Sequence, residues 1–219
     1  MTTVNDVIVI GAGGFARELL WLFEEINADA RSWNVLGFVD NDPSLKATEP
    51  CGVPILGDDE WLIAHAPKSA KLICGTGSPR VRRKVADKFA AAGFEFATAV
   101  HPSARMSKFV ELGAGTIVTA GNILTTQIRI GAHCLLNLDC TVGHDCTLGD
   151  YCVVSPGAHI SGAVTLENGV EIGTGACIIQ GKSIGEWSVI GAGSVVVSDI
   201  PAHVTAVGVP CKAIKAHAV

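Results

Sequence analysis

The sequence predicts two architectures in one chain: an α/β domain with a small parallel sheet, followed by a β-solenoid. From Leu112 to Pro201 an aliphatic residue opens each of fifteen consecutive six-residue units, or hexads. A six-residue period fits neither an α-helix nor a plain strand alternation, but it suits a short strand and a turn repeated around a solenoid. Before this repeat, short apolar runs alternate with segments of helical spacing. We therefore expect an α/β domain over residues 1–98 and a solenoid domain over residues 99–219.

The first hundred residues show the strand, turn and helix order of a Rossmann-like domain. The predicted elements are a buried strand at 6–10, a glycine turn at 11–14, a helix at 15–27, a strand at 35–39, and a strand at 71–74 with a turn at 75–78 and a helix after it. Strands that alternate with helices form a parallel sheet. The ligand crevice of such a sheet lies beyond the carboxyl ends of the strands.

The glycine turn matches a phosphate-binding pattern. Gly11, Gly13 and Ala16 satisfy G-x-G-x-x-G/A, in which backbone N–H groups and a helix N-terminus hold phosphates. About ninety-five residues supply one mononucleotide-binding half, so a single nucleotide diphosphate fits this domain better than NAD. Asp40, at the tip of the second strand, either accepts hydrogen bonds from a ribose hydroxyl or a base, or is a solvated loop carboxylate. The expected substrate-binding residues are Gly13, Gly14, Phe15, Asp40, Asn41 and Gly57, the last in a predicted turn at 56–58.

The hexads predict a triangular prism. At three hexads per coil they make about five coils, with the aliphatic openers stacked inward as one continuous core. Glycine often follows the opener, at the second place of the hexad. We expect these glycines to turn the chain by adopting backbone angles that are closed to other residues.

Composition excludes several classes of function. A hydrophobic content of 48% and a mean hydropathy of +0.40 predict a large core. A net charge of −5 and a pI near 5.8 argue against a nucleic-acid partner, which needs concentrated Lys and Arg. No apolar run reaches membrane-spanning length, and the N-terminus lacks the features of a signal peptide. We expect no membrane partner and a cytoplasmic location.

Four of the eight cysteines share one place in the repeat. Cys134, Cys140, Cys146 and Cys152 each occupy the fifth place of a hexad, where a small side chain faces the interior. This spacing favours small core residues in a reducing compartment over disulfides. No CxxC pair occurs, so we expect no metal site of the usual structural kind.

The Gly-Ala-Gly-Gly turn at 11–14, the hexads, and the tail Val-Gly-Val-Pro-Cys-Lys at 207–212 together resemble one family. This family is the bacterial nucleotide-sugar N-acetyltransferases. The group includes the UDP-4-amino-sugar and perosamine acetyltransferases and the related sialic acid O-acetyltransferases. The resemblance implies a left-handed parallel β-helix. It also implies that the first domain holds a nucleotide-linked amino sugar, that the solenoid holds acetyl-CoA as co-substrate, and that the chain forms a homotrimer with sites between neighbours.

The same resemblance assigns the reactive residues. The stretch 142–146 matches the family's His-acidic-Cys sequence, which implies His144 as general base with Asp145 as its acidic support. Transfer of acetyl to an amine needs a base, and histidine titrates near neutrality. Gly162, eighteen residues after His144, is the implied backbone donor to the oxyanion. The implied acetyl-CoA contacts are Val153, which departs from the histidine of some members, and Thr174, Ala192 and Lys212.

Several alternatives stay open. His133 and His159 compete with His144, but neither is followed by a carboxylate, so we interpret them as solvent or interface residues. With His144 they also suit a trimeric solenoid carbonic anhydrase, whose zinc binds three imidazoles. A sugar O-acetyltransferase of the sialic acid type and a sugar-nucleotide sensor without catalysis are further alternatives. Phe15 stands where some amino-sugar enzymes have histidine. The sequence does not decide whether the substrate carries UDP, GDP or dTDP.

Overall fold

The computed structural model describes residues 4–217, which form two compact units. The first unit ends at Pro102, except that residues 78–80 group with the second, and the second begins at Ser103. No helix within residues 4–217 has the length and apolar character needed to cross a membrane.

The first unit contains a parallel sheet of four strands in the order β3-β2-β1-β4. Its elements are β1 (Asn5–Ile10), α1 (Gly14–Asp29), β2 (Trp33–Val39), β3 (Ile55–Gly57), α2 (Asp59–His65), β4 (Lys71–Cys74), α3 (Pro79–Ala91) and β5 (Ala99–Val100), with single 3₁₀ turns at Pro43–Leu45 and Pro50–Gly52. The predicted Rossmann-like α/β domain is confirmed. The turn predicted at 56–58 is wrong, because Leu56 and Gly57 belong to a short strand that pairs with β2, and Asp58 caps α2.

The core of the first unit includes the central strand β1 and one face of helix α1. Val7, Ile8 and Val9 of β1 have no exposed surface, as expected of a central strand covered on both sides. Helix α1 turns one apolar face inward through Leu19, Leu22 and Phe23. Because β1 pairs in parallel with β2 and β4, the carboxyl ends of these strands meet at one edge of the sheet, where the glycine turn and Asp40 lie.

The second unit is a left-handed parallel β-helix with three faces. Its strands are β6 (Arg105–Met106), β7 (Val110–Leu112), β8 (Ile117–Val118), β9 (Ile123–Leu124), β10 (Ile128–Ile130), β11 (Leu135–Leu136), β12 (Thr141–Val142), β13 (Thr147–Leu148), β14 (Val153–Val154), β15 (His159–Ile160), β16 (Thr165–Leu166), β17 (Glu171–Ile172), β18 (Cys177–Ile178), β19 (Ser183–Ile184), β20 (Val189–Ile190), β21 (Val195–Val196), β22 (Val204–Val207) and β23 (Lys212–Ala216).

Up to β21, each face collects every third strand, and β22 and β23 then extend one of the faces. Face A holds β7, β10, β13, β16 and β19; face B holds β8, β11, β14, β17, β20, β22 and β23; face C holds β6, β9, β12, β15, β18 and β21. From β6 to β21, strands pair in parallel with strands eighteen residues away, so each coil is three hexads. At the end of face B, β22 pairs in parallel with β20, and β23 pairs antiparallel with β22. We name the edges of the prism AB, BC and CA, after the faces that they join in chain order.

The interior confirms the predicted core. Every opener from Val118 to Val196 is at most 3% exposed, and Leu112 is half-buried. The four fifth-place cysteines are buried, and none of the eight cysteines, all of which lie within residues 4–217, forms a disulfide. The prediction of small core cysteines is confirmed.

The role predicted for the second-place glycines is wrong. The left-handed backbone lies instead at the fourth place of successive hexads, at Gly115, Gly121, Gln127, His133, Asp139, Asp145, Tyr151, Gly157, Ala163, Gly169, Gly175, Gly181, Trp187 and Gly193. The second-place glycines have ordinary angles but lie against the next coil. A Cβ atom on Gly143, for example, would stand 2.6 Å from the backbone nitrogen of Gly162. At these glycines it is the close approach of the next coil, and not the turn itself, that leaves no room for a Cβ atom.

Candidate active site

His144 and Asp145 form a hydrogen-bonded pair on edge CA, directly after β12. His144 Nδ1 lies 2.7 Å from Asp145 Oδ2, and the two side chains are 64% and 54% exposed. Neighbouring residues in a strand point to opposite sides. Here the left-handed φ of +62° at Asp145 swings its carboxylate to the side of the imidazole. The left-handed backbone at this edge therefore brings the two adjacent side chains together.

The backbone around the pair is held by both adjacent coils. The N–H of Asp145 donates to Thr126 O at 3.1 Å, and His144 O accepts from the N–H of Ala163 at 2.7 Å. The Asp145 carboxylate accepts the proton on His144 Nδ1 as a hydrogen bond, so the other ring nitrogen, Nε2, is the unprotonated one in the neutral imidazole. Nε2 is thus the atom available to accept a proton.

Gly162 lies directly beside the imidazole on the next coil. A Cβ atom there would stand 2.6 Å from both Cε1 and Nε2 of His144. Gly162 is at the third place of its hexad, and every other hexad has a residue with a side chain at that place. The coil thus accepts a Cβ at the third place, and it is the His144 ring that requires glycine here.

The N–H of Gly162 is a free donor. Within residues 4–217 no backbone or side-chain acceptor receives it. The carbonyl of Gly162, in contrast, accepts from the N–H of Gly181 at 3.0 Å. An unpaired donor beside a proton acceptor suits a reaction in which one oxygen gains negative charge while another group loses a proton.

The residues expected to bind acetyl-CoA lie mainly along edge BC. Thr174 and Ala192 occupy the same corner on successive coils, and the carbonyl of Thr174 accepts from the N–H of Gly193 at 2.8 Å. Lys212 opens β23 and pairs with Val207, which contacts the same corner at Gly191. Val153 lies on face B and is only 4% exposed, so its side chain offers little surface to a ligand.

The two groups of residues therefore occupy different edges of one prism. His144, Asp145 and Gly162 are on edge CA, whereas Thr174 and Ala192 are on edge BC. A single β-helix does not bring them to one edge.

The competing histidines are placed elsewhere. The ring of His133, on edge AB, stacks on Tyr151 with a centroid distance of 5.5 Å and an interplanar angle of 5°. His159 lies on the open surface of face C, with Nδ1 3.0 Å from Thr141 Oγ1. In the part of the chain from 4 to 217, no group of three or more His, Cys, Asp or Glu side chains could hold a metal ion.

In the first unit, Asp40 ties the glycine turn to the end of β2. Its Oδ2 accepts from the N–H of Ala12 at 2.8 Å, and its Oδ1 accepts from the N–H of Asp42 at 2.9 Å. The carboxylate is thus engaged by two backbone groups, unlike a freely solvated loop residue. Sequence reasoning missed this contact because Ala12 and Asp40 are 28 positions apart.

The other expected substrate residues surround the same edge of the sheet. Gly13 and Gly14 are exposed, a Cβ atom on either would meet no atom within 4 Å, and no side chain caps α1 at Gly13. Phe15 is half-buried. Asn41 Oδ1 accepts from the N–H of Asp59 at 3.0 Å. Gly57 makes room for a tryptophan, since a Cβ there would stand 2.5 Å from Trp61 Cβ.

Two clefts open beside these residues. The larger, of about 510 Å³, is lined by Asp40, Asn41 and Gly57 together with Lys46, Leu56, Trp61 and His65. The smaller, of about 160 Å³, lies across the strand ends at Ile10, Gly11, Val39 and Thr76. Sequence reasoning missed Trp61 and His65. Their spacing of four residues after the capping Asp58 was the available signal.

Comparisons with known proteins find relatives that cover nearly the whole chain. Residues 6–89 match the family described as the PglD N-terminal domain. A search of curated proteins finds no match. Among solved structures, PerB from Caulobacter crescentus, in complex with CoA and GDP-perosamine, is 35% identical, with a TM-score of 0.86 over 98% of this chain and 100% of that one.

Two further structures are similar over nearly their full length. The acetyltransferase domain of PglB from Neisseria gonorrhoeae is 30% identical, with a TM-score of 0.86 over 96% of this chain and 100% of that one. WeeI from Acinetobacter baumannii is 27% identical, with a TM-score of 0.86 over 97% and 100%. The fold and the matches together define a hexapeptide-repeat acyltransferase. Within that class, the chain belongs to the family of acetyl-CoA-dependent nucleotide-sugar N-acetyltransferases.

Proposed function

We propose that this protein transfers the acetyl group of acetyl-CoA to the amino group of a nucleotide-linked amino sugar, with His144 as general base. The observation that carries the proposal is the corner on edge CA. There Nε2 of a histidine oriented by Asp145 lies beside the unpaired N–H of Gly162.

The similar structures support the substrate class. PerB was crystallised with CoA and GDP-perosamine, and the PglB domain with acetyl coenzyme A. Perosamine N-acetyltransferase variants in which one histidine is replaced by asparagine or alanine were also crystallised with CoA and GDP-perosamine.

The proposed reaction follows from the atoms at the corner. The sugar amine attacks the thioester carbonyl and passes a proton to Nε2 of His144. The carbonyl oxygen gains negative charge, which the N–H of Gly162 stabilises. The intermediate then breaks its C–S bond, and the imidazolium returns the proton to the departing CoA sulfur. One N–C bond forms, one C–S bond breaks, and the histidine is regenerated.

The first unit would hold the nucleotide. The open backbone at Gly13 and Gly14, at the start of the sixteen-residue helix α1, suits a diphosphate. Asp40 and Asn41 line the 510 Å³ cleft, whose Trp61 offers an aromatic surface to a base. Phe15 directly follows the glycine turn at 11–14 and would pack against the sugar or the base.

The placement of residues on two edges supports a homotrimer. We infer that Thr174, Ala192 and Lys212 on edge BC, and Val153 on face B, bind acetyl-CoA for the His144 corner of a neighbouring chain. Because acetyl-CoA and nucleotide sugars are cytoplasmic metabolites, we place the reaction in the cytoplasm.

The decisive experiment is an acetyl-transfer assay with a panel of UDP-, GDP- and dTDP-linked 4-amino sugars. The wild type is expected to release CoA with one of them and to yield a product that resists mild alkali, as an amide does and an O-acetyl ester does not. His144→Ala should lower kcat by about 10²–10⁴-fold, since general-base catalysis supplies that range.

His159→Ala is the matched control, since His159 is also an exposed histidine of the β-helix. It should leave kcat near the wild-type value. Full activity in His144→Ala would refute the assigned base. An alkali-labile product would move the enzyme to the O-acetyltransferases, and zinc-dependent CO₂ hydration without acetyl transfer would establish the carbonic anhydrase alternative.

A further inference from the structure

We call His144, Asp145 and Gly162 on edge CA the catalytic corner. Cys146 lies in the interior beneath this corner, and its thiol donates one hydrogen bond. The side chain is 1% exposed, and Sγ lies 3.1 Å from Ser161 O and 3.8 Å from His144 O. Burial raises the pKa of this thiol above its usual value, with smaller opposing contributions from backbone N–H groups. The thiol therefore keeps its proton at neutral pH and donates it to the nearer carbonyl.

That carbonyl belongs to the peptide unit that carries the candidate oxyanion donor. Ser161 C=O and Gly162 N–H are the two ends of one planar trans amide, so they point in opposite directions. An inward hydrogen bond to the oxygen fixes the plane and keeps the N–H directed outward. Hydrogen bonds at one end of an amide also polarise the other end.

We propose that Cys146 is a positioning residue that orients and strengthens the Gly162 N–H donor. The inference deepens the proposed acetyl transfer and rests on it. Cys146 itself does not touch the reacting atoms.

The chain provides internal controls for this role. Cys140 donates to Ser155 O at 3.2 Å and Cys152 to Glu167 O at 3.1 Å, with the same fifth-place geometry. These bonds are on other edges, away from His144. The fold does not require the thiol, because Ala158 and Val164 occupy fifth places on the following coils. Cys146 differs from the other cysteines because its acceptor, Ser161 O, belongs to the same peptide unit as the Gly162 N–H.

The test compares Cys146→Ala with Cys152→Ala in the acetyl-transfer assay, because Cys152 makes the same kind of hydrogen bond on edge AB, which carries neither the His144 corner nor the proposed acetyl-CoA contacts. A neutral hydrogen bond contributes about 1 kcal/mol, so Cys146→Ala should lower kcat about 5-fold, with KM for both substrates within about 2-fold. Cys152→Ala should keep kcat within about 2-fold while losing a similar amount of thermal stability. Cys146→Ser, which restores a donor, should recover most of kcat.

The pH profile separates the donor from the base. Cys146→Ala should keep the wild-type shape of kcat/KM against pH, because His144 and Asp145 are intact. Should Cys146→Ala unfold, Cys146→Val replaces it, since valine fills the fifth place at 164 and 170.

Equal kcat in the Cys146 and Cys152 variants, with an active wild type, overturns the inference and leaves the proposed function standing. A wild type inactive towards every nucleotide sugar overturns both.

Discussion

Replacing Gly162 by alanine tests the contact between the histidine and the neighbouring coil. The new Cβ would stand 2.6 Å from Cε1 and Nε2 of His144, whereas ordinary contacts begin at 3.4 Å. The imidazole must therefore move by about 0.8 Å. Because a misplacement of about 1 Å can cost 10²-fold in rate, we expect kcat to fall by roughly 10²-fold, equivalent to about 2.7 kcal/mol of transition-state stabilisation.

Stability should respond far less. Gly162 does not have a left-handed φ, and alanine occupies the same third place at Ala114, Ala120, Ala132 and Ala192. The exposed imidazole can move into solvent, so the free energy of unfolding should change by no more than about 0.5 kcal/mol. Gly143→Ala is the contrasting variant, since its Cβ meets backbone of the next coil and should lower the thermal midpoint by several degrees.

The assay is steady-state CoA release, combined with thermal unfolding. In a His144→Ala background, Gly162→Ala should cost little further rate, because the ring it displaces is gone. Near-wild-type kcat in Gly162→Ala, or an additive loss in the double variant, would refute the placement of the imidazole against Gly162.

Four further outcomes are expected. Asp145→Asn, which tolerates the left-handed φ, should lower kcat about 3–10-fold, less than His144→Ala, because a neutral acceptor replaces a charged one. Asp40→Ala should weaken nucleotide-sugar binding at least about tenfold by calorimetry and lower the thermal midpoint, since two backbone N–H groups lose their acceptor, while acetyl-CoA binding is kept. Light scattering should give about three times 22.7 kDa, and a monomeric mass would contradict the shared site. Burial raises the pKa of the Cys140 thiol from 9.0 to about 11; the unfolded chain therefore ionises first as the pH rises from 9 to 11, and unfolding experiments should show a loss of roughly 2 kcal/mol that Cys140→Ser lacks.

The parts of the molecule that repeat were predictable from sequence, and those that depend on distances between coils were not. An aliphatic opener at every sixth position predicts an inward stack, because a coil of three hexads buries one aliphatic opener on each face. The role of a second-place glycine such as Gly143 depends on how closely the coils approach, which no single hexad reveals. Strand β3 escaped prediction because it has only three residues.

The candidate site divides in the same way. The adjacent letters His144 and Asp145 predicted a pair, and the structure supplies the left-handed turn that joins them. The contact of Gly162 with His144 had a signal in the sequence, as the one glycine among the third places. The bond from Ala12 to Asp40 had none, since it connects the ends of two strands whose register the sequence does not show.

Because each fourth place swings its side chain beside the third, every corner of the prism can hold two adjacent functional groups. The corner at Leu138 already has Asp139 with a φ of +57°. Histidine in place of Leu138 and glycine in place of Pro156, one coil on, would give it the pair and the glycine of the catalytic corner, with Asn137 standing where that corner has Gly143. Neither change touches an opener or the buried core. A catalytic corner therefore depends only on its own coil and the two coils that adjoin it, and coils gained or lost beyond those neighbours would leave its geometry intact.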